Sequence, residues 1–459
     1  MPDQYLSQTL SRSALPRTVL LAAAVAVGLV VALQPALVHS DDLTLQWEPP
    51  LEVASGEAFR GPWRMNDSDF RFVDDPAVSI NDQGVIAVAW ADQARQELFV
   101  QLYDPDGTPR LAELANVSRS SGIFSWLPRI VLTDGDAPSV YVLWQDIVFS
   151  GGSHGGEIFF SASFDGGRTF SEPVNLSNTT AGAGKGRLSA NYWHNGSLDL
   201  AMGPEGQVYA AWTEYEGALW FSRSVDAGRS FTEPLRIAGA PDALPARGPS
   251  LAVEGDTVYL AWTVGEDPSA DIHITRSTDA GETFESPRTV AAGPGHADAP
   301  KLAVDAEGVV HLVFAEGPDG PAGPYRVRYT RATDRLDFER SRVIAGPARG
   351  DVAMVHFPHL DVDREGRVYV LWERFPHRRG RPLGLGYTWS ADGGASFAAP
   401  RVLAGSDDPR LGANGSQQGL LMRKLALNAS GRAAVVNSSF MPGETSHVWL
   451  FRGHFPDSP

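Results

Sequence analysis

The chain is 459 residues long, and its 47 glycines, 33 prolines, 12 tryptophans and 21 phenylalanines suit many short strands joined by turns, in one very large all-β core or two to three ordinary domains. A net charge of -17 argues against a nucleic acid or an anionic membrane held through a general basic surface. The absence of cysteine excludes disulfides, thiolate metal sites and cysteine nucleophiles, and nothing in the composition calls for a cofactor.

The first forty residues stand apart from the fold. Arg12 and Arg17 precede an uncharged run from Thr18 to Leu33, followed by Gln34-Pro35-Ala36-Leu37-Val38-His39-Ser40. A short basic region, an apolar stretch and small residues form the order of a secretory signal, with cleavage expected close to Ser40. Val19 to Val38 is also nearly long enough to cross a bilayer, so an uncleaved membrane anchor is the alternative for residues 1–40. Either way residues 43–459 are expected to be exported as one monomeric domain, secreted or held at the outer face of the cell membrane.

That domain is built from a recurring unit, clearest in its fourth copy. Pro249-Ser250-Leu251-Ala252-Val253 reads as strand a, Glu254-Gly255-Asp256 as a turn, and Val258-Tyr259-Leu260-Ala261-Trp262 as strand b. Ile272 to Ser277 follows as strand c and Pro287 to Val290 as a short strand d. The leading apolar residue of strand a recurs as Val78, Ile130, Leu198, Leu251, Leu302, Leu360 and Leu425, 51 to 68 residues apart. Seven starts at a near-fixed period predict a radial array of seven blades, in which no unit can bury both its faces alone. The strand b aromatics Trp90, Trp144, Trp212, Trp262, Phe314 and Trp372 keep register and are expected to pack between neighbouring blades.

The last unit stops after His447-Val448-Trp449-Leu450-Phe451, without a strand d. Trp47-Glu48-Pro49-Pro50-Leu51-Glu52-Val53-Ala54 matches Phe231-Thr232-Glu233-Pro234-Leu235-Arg236-Ile237-Ala238 in pattern, with an aromatic first, the same Pro, Leu and Ala at the fourth, fifth and eighth places, and a β-branched residue at the seventh. The segment from Leu45 to Ala54 is therefore predicted to close the ring as the outer strand of the seventh blade, removing the exposed edges of an open array.

Between strands c and d one spelling returns four times: Ser163, Asp165, Gly167 and Phe170; Ser224, Asp226, Gly228 and Phe231; Ser277, Asp279, Gly281 and Phe284; Ser390, Asp392, Gly394 and Phe397. A Ser and an Asp two apart can cap the N–H groups of a tight turn, the Gly supplies positive φ, and the aromatic returns to the core. This Ser-x-Asp-x-Gly-x-x-aromatic pattern resembles the Asp box of the sialidase-like (BNR-repeat) β-propellers, over nearly all of the chain after residue 42. The resemblance implies an all-β seven-bladed propeller with Asp-box turns, although sialidases are typically six-bladed. In a four-stranded blade the a–b and c–d turns share one face, so these boxes are expected to be structural and remote from any ligand.

The opposite face gathers the b–c loops and the longest d–a insertions, from Asn178 to Asn195 and from Ser406 to Gly419. Acids follow strand b closely, and Asp146, Glu214 with its neighbour Tyr215, and Glu373 are the candidates for acid/base work. Arg129, Arg247 and Arg423 enter strands a from the same face and are the candidates for holding an anion, with Tyr192, Trp193 and His194 placed either to stack on a sugar ring or to cover the channel mouth. Sialidases use three arginines, a tyrosine paired with a glutamate, and an aspartate. Their Arg-Ile-Pro-like motif has no counterpart here, where Phe59-Arg60-Gly61-Pro62 and Pro128-Arg129-Ile130 stand instead. Three functions remain open: binding of an extracellular carbohydrate or protein, sialidase-like glycoside hydrolysis, and a scaffold at the cell surface.

Overall fold

The structure, a computed structural model, describes residues 45–149, 155–239, 242–291, 295–333, 336–348, 352–377, 380–411 and 422–455. The expected export segment, residues 1–40, lies outside them, as does part of the Ser406–Gly419 insertion. Seven antiparallel sheets follow one another, each with its first strand innermost. The inner strands are Val73–Ile80, Ser125–Leu132, Leu198–Met202, Ala246–Glu254, His296–Val304, Met354–Val362 and Leu425–Leu427, and each lies beside the next, the last beside the first. The chain is a seven-bladed β-propeller.

The N-terminal segment closes the ring in two pieces. Leu51–Glu57 pairs antiparallel with Thr445–His454 from Leu51 opposite Leu450 to Glu57 opposite Thr445, and Gln46–Trp47 pairs with the far end of the same strand. Pro49 and Pro50 separate the two pieces, because a proline has no N–H to give to a ladder.

What holds the blades together is apolar. Trp90, Trp144, Trp212 and Trp262 are essentially without solvent contact, and each lies in a cluster shared by two adjacent blades. Trp144, for example, packs with Ala89, Val100 and Leu102 of blade 1. No blade could bury that surface by itself, and closure of the ring leaves no blade without a neighbour.

The four repeated turns use one set of hydrogen bonds. Ser224 Oγ donates to Asp226 Oδ1 at 2.7 Å and accepts from Gly228 N at 2.8 Å, while Asp226 accepts from the N–H and hydroxyl of Ser230 at 2.8 and 2.6 Å. Ser163, Ser277 and Ser390 repeat this arrangement with Asp165, Asp279 and Asp392. The glycine answers two demands. Its φ is positive, +78° at Gly228, and a Cβ there would stand 2.7 Å from the ring of Phe160 in the preceding blade. Phe231 then meets Phe160 edge-on at 4.8 Å, as Phe284 meets Phe221 and Phe397 meets Tyr329, so the turn also ties each blade to the one before it.

Candidate functional site

Five inner strands share a device that repetition alone does not announce. Asp75, Leu127, Gly248, Ala299 and Phe357 have φ between +49° and +60°, each directly before a proline, and at each the register slips by one residue. In blade 5 Asp298 faces Ala315 but Lys301 faces Val313. Such a bulge bends the strand and re-aims the side chains on either side of it. The residues just before the bulges are Asp74, Trp126, Arg247, Asp298 and His356, and those just after are Ala77, Arg129, Ser250, Lys301 and His359.

The second group, with the start of blade 7, fills the ring axis with charge. Lys424 Nζ donates to Glu373 Oε1 and, at 2.8 Å, to Asn437 Oδ1, all out of solvent. Arg129 lies 3.8 Å from Asp199 and donates to the Gly196 carbonyl at 2.9 Å. Arg423 reaches across to the Leu200 carbonyl of blade 3 at 3.0 Å. Burial, reinforced by Lys301, Lys424 and Arg129, holds His359 well below the ordinary histidine range. Only about 20 Å³ remains open among Asp199, Lys301, His359 and Arg423.

The first group builds something different over blades 4 to 6. A cavity of about 300 Å³ is lined by His194, Asp267, His296, Asp298, Tyr325 and His356 among apolar side chains. These residues come from inner strands, from b–c loops and, for His194, from the hairpin Lys185–Ser189 with Tyr192–Asn195 in the insertion between blades 2 and 3. The hairpin is tied down by Asp267 N donating to the Leu188 carbonyl at 2.9 Å and by an Arg187–Glu266 ion pair. A larger cavity of about 440 Å³ lies at the outer strands of blades 5 and 6, but no acid or imidazole lines it.

Within the pocket the polar atoms form a relay. Tyr325 Oη is 2.9 Å from Nδ1 of His296, and Nε2 of that ring is 2.9 Å from Asp267 Oδ1. An ionised carboxylate only accepts, so the ring donates from Nε2 to Asp267, and Nδ1 is left to accept the phenol proton. Beneath lies Arg247, buried, with Nε 3.2 Å from Asp298 and Nη2 3.3 Å from His296 Nε2. Burial by itself would push Asp298 up, but Arg247 and the surrounding imidazoles hold it far below the usual carboxylate range. Burial, against the pull of Asp298, drives His356 down to about 3 and His194 to about 4, so both rings are neutral at pH 7. His356 Nδ1 accepts from Phe357 N at 2.7 Å, which leaves its proton on Nε2. Among the described residues, no group of three metal-ligating side chains is placed to hold one ion.

The residues singled out from the sequence are distributed over several places. Asp146 is buried, its Oδ1 accepting from Ser125 Oγ and Trp144 Nε1 at 2.6 Å each, and burial raises it to about 7. Glu373 is closed off with Lys424, while Glu214 is half-buried at the end of strand b in blade 3. Tyr215 donates to the Ala190 carbonyl at 2.5 Å and meets Trp193 edge-on at 5.2 Å. These four stand on three blades and do not converge on one bond. Of the arginines, Arg247 floors the pocket, whereas Arg129 and Arg423 belong to the axis. Tyr192 and Trp193 are 72% and 40% exposed at the hairpin that carries His194 into the pocket wall. Asp267, His296, Asp298, Tyr325 and His356 were not singled out, although the Pro in each inner strand marks the bulge two residues after Arg247, Asp298 and His356.

No protein-family model and no curated protein sequence matches the chain. Among solved structures it is similar to a polysaccharide lyase, an ulvan lyase bound to a -[GlcA(1-4)Rha3S]- chain, at 13% identity over 88% of this chain and 95% of that one, with a TM-score of 0.51. A second structure described as this type of ulvan lyase gives 12% identity over the same shares and a TM-score of 0.50. A structure described as a Hadza microbial sialidase gives 15% identity over 67% of this chain and 64% of that one, with a TM-score of 0.45. At such identities the likeness concerns the propeller fold.

Proposed function

We propose that this is an exported Asp-box propeller that takes an acidic sugar of an extracellular glycan into the pocket over blades 4 to 6 and cleaves the chain by elimination. The observation that carries the reading is the Tyr325–His296–Asp267 relay. Moving the phenol proton to His296 Nδ1, with Asp267 stabilising the imidazolium, leaves a phenolate at the cavity wall. That oxygen can take the proton from the carbon next to a sugar carboxylate and return it to the departing glycosidic oxygen as the C–O bond breaks and a C=C bond forms. The neutral His356 offers its Nε2–H, and the neutral His194 a ring N–H, to the substrate carboxylate as charge builds on it.

Elimination is preferred to hydrolysis because the carboxyls present are committed elsewhere. Asp298 is fixed by Arg247, by Thr263 Oγ1 at 2.9 Å and by Ala299 N at 2.9 Å, and Asp267 serves His296. A glycosidase needs one carboxyl protonated near neutrality and a second opposite it. The three arginines of a sialidase site are also not assembled, since of Arg129, Arg247 and Arg423 only Arg247 touches residues that line the pocket, Asp298 and His296. That a lyase of the same fold was solved with a glucuronate-containing chain agrees with this choice. Export rests on the basic, apolar and small-residue order of residues 1–40.

The test uses the purified mature protein on a panel of uronate polysaccharides and on a fluorogenic sialoside, with ultraviolet absorbance of the unsaturated product as readout. Tyr325→Phe is expected to abolish product while leaving folding and glycan binding intact, and His296→Ala to do the same. Reducing ends released without ultraviolet absorbance would overturn elimination, and glycan bound without turnover by the unmodified protein would leave a binding module.

A further inference from the structure

The hairpin Phe59–Arg60 with Phe70–Arg71 connects the outer strand of blade 7 to the inner strand of blade 1, so it lies on the same face as the pocket. Its loop carries Trp63, 49% exposed, whose ring rests on a buried aromatic bed: Phe70 at 6.0 Å, Phe124 at 6.1 Å and Trp126 at 5.6 Å. Core aromatics explain the bed but not a half-exposed indole seated on top of it. From Phe70 the aromatic strip continues through Phe72 at 5.6 Å to Phe440, a further 5.3 Å on. A guanidinium stands over each end: Arg60 Cζ is 5.5 Å from the Phe70 centroid and Arg381 Cζ is 5.4 Å from that of Phe440. Both arginines are exposed, and burial together with the charge of Arg60 lowers Arg381, as expected where two cations face one region. Arg381 follows Gly380, which lines the pocket. The aromatic strip therefore runs along the loop face from Trp63 to Phe440, and its Arg381 end adjoins the pocket through Gly380.

We propose that Trp63, Arg60 and Arg381 form a second subsite, in which the indole stacks on a sugar ring and the guanidiniums hold its carboxylate or sulfate groups, so that the ligand is an anionic polysaccharide engaged at several residues. The inference rests on reading the pocket as a glycan site. Guanidinium pairs carboxylate and sulfate oxygens in a planar fork, and an indole face covers the C–H face of a pyranose.

Binding of a sulfated glucuronate–rhamnose polymer and of its disaccharide is measured by affinity electrophoresis and tryptophan fluorescence, for the unmodified protein, Trp63→Ala, the double variant Arg60→Ala/Arg381→Ala and Tyr325→Phe. Trp63→Ala is expected to weaken the polymer roughly tenfold and the disaccharide hardly at all, with the fold retained at a somewhat lower thermal midpoint. The double variant is expected to flatten the salt dependence of polymer binding. Polymer affinity unchanged in both variants overturns the subsite even if turnover is found, as does failure of the unmodified protein to bind any anionic polymer. Polymer binding that depends on Trp63 without turnover upholds the subsite and removes the elimination reading instead.

Discussion

The ring axis and the pocket over blades 4 to 6 draw on the same strands, on opposite sides of the same bulges, and spend ionisable side chains in contrary ways. On the axis Lys424, Arg129 and Arg423 are engaged with partners on the same or other blades, and about 20 Å³ is left open among Asp199, Lys301, His359 and Arg423. In the pocket the imidazoles of His194 and His356 are neutral, and about 300 Å³ stays open above them. Charges sealed among fixed partners fasten blades to one another. Neutral rings lining a cavity keep donors for something that enters. On the proposed reading the axis is structural and the pocket is the site, even though the axis holds the larger number of charges.

The sharpest way to break this comparison is Lys424→Met. It leaves Glu373 without its cation inside the ring, which costs about 3–5 kcal/mol. Urea unfolding of the variant should show that loss, while affinity for glycan stays as it was. A stable variant that no longer binds glycan would move the site to the axis.

The regular parts of this molecule were readable because they recur. Seven leading residues from Val78 to Leu425 fall on the seven inner strands, and the copy of Phe231–Ala238 at Trp47–Ala54 identified the strand that closes the ring. A residue that appears once carries no such redundancy. His296, Tyr325 and Asp267 each sit in one blade, and only the fold brings them to within hydrogen-bond reach. The acids at strand b ends were legible as a series, yet their series position is why they fail to meet: Asp146, Glu214 and Glu373 are fixed to separate blades. Proline gives the one local clue that was available, since a proline inside a strand marks an interrupted ladder, and the bulge there turns Arg247, Asp298 and His356 toward the loop face.

A second measurement acts on the pocket. His356 falls from its ordinary 6.5 to about 3 in the folded chain, so below pH 6.5 the unfolded state takes up a proton that the folded state refuses. His194, at about 4, adds to this. Stability should therefore fall as pH drops from about 6.5 toward 4, and His356→Gln should make that slope shallower without changing stability much at pH 8. Thermal midpoints across that range decide it, and equal slopes in the two proteins would show that His356 is already charged in the folded state.

The smallest expected effect comes from the other axial lysine. Lys301 lines the same narrow space as Arg423 but, among the described residues, has no hydrogen-bond partner, and burial lowers it to about 8. The residue as a whole keeps some contact with solvent, so the penalty is moderated. At pH 7 the lysine is protonated in both states, and the unfavourable burial of its charge is present in full. As pH rises from about 8 to 10.5 the folded chain releases the proton first, and stability should rise over that interval. Lys301→Met removes the burial cost without stranding a partner, so at pH 7 it should be neutral or stabilising by up to about 1 kcal/mol, and the rise with pH should vanish. Two lysines in one channel would then respond in opposite directions to the same substitution, which follows from a hydrogen-bonded Glu373 beside one and, near the other, only the charge of Asp199, which Arg129 already pairs. A loss at Lys301→Met comparable to that at Lys424→Met would mean that an anion from solution occupies the channel and fastens it there.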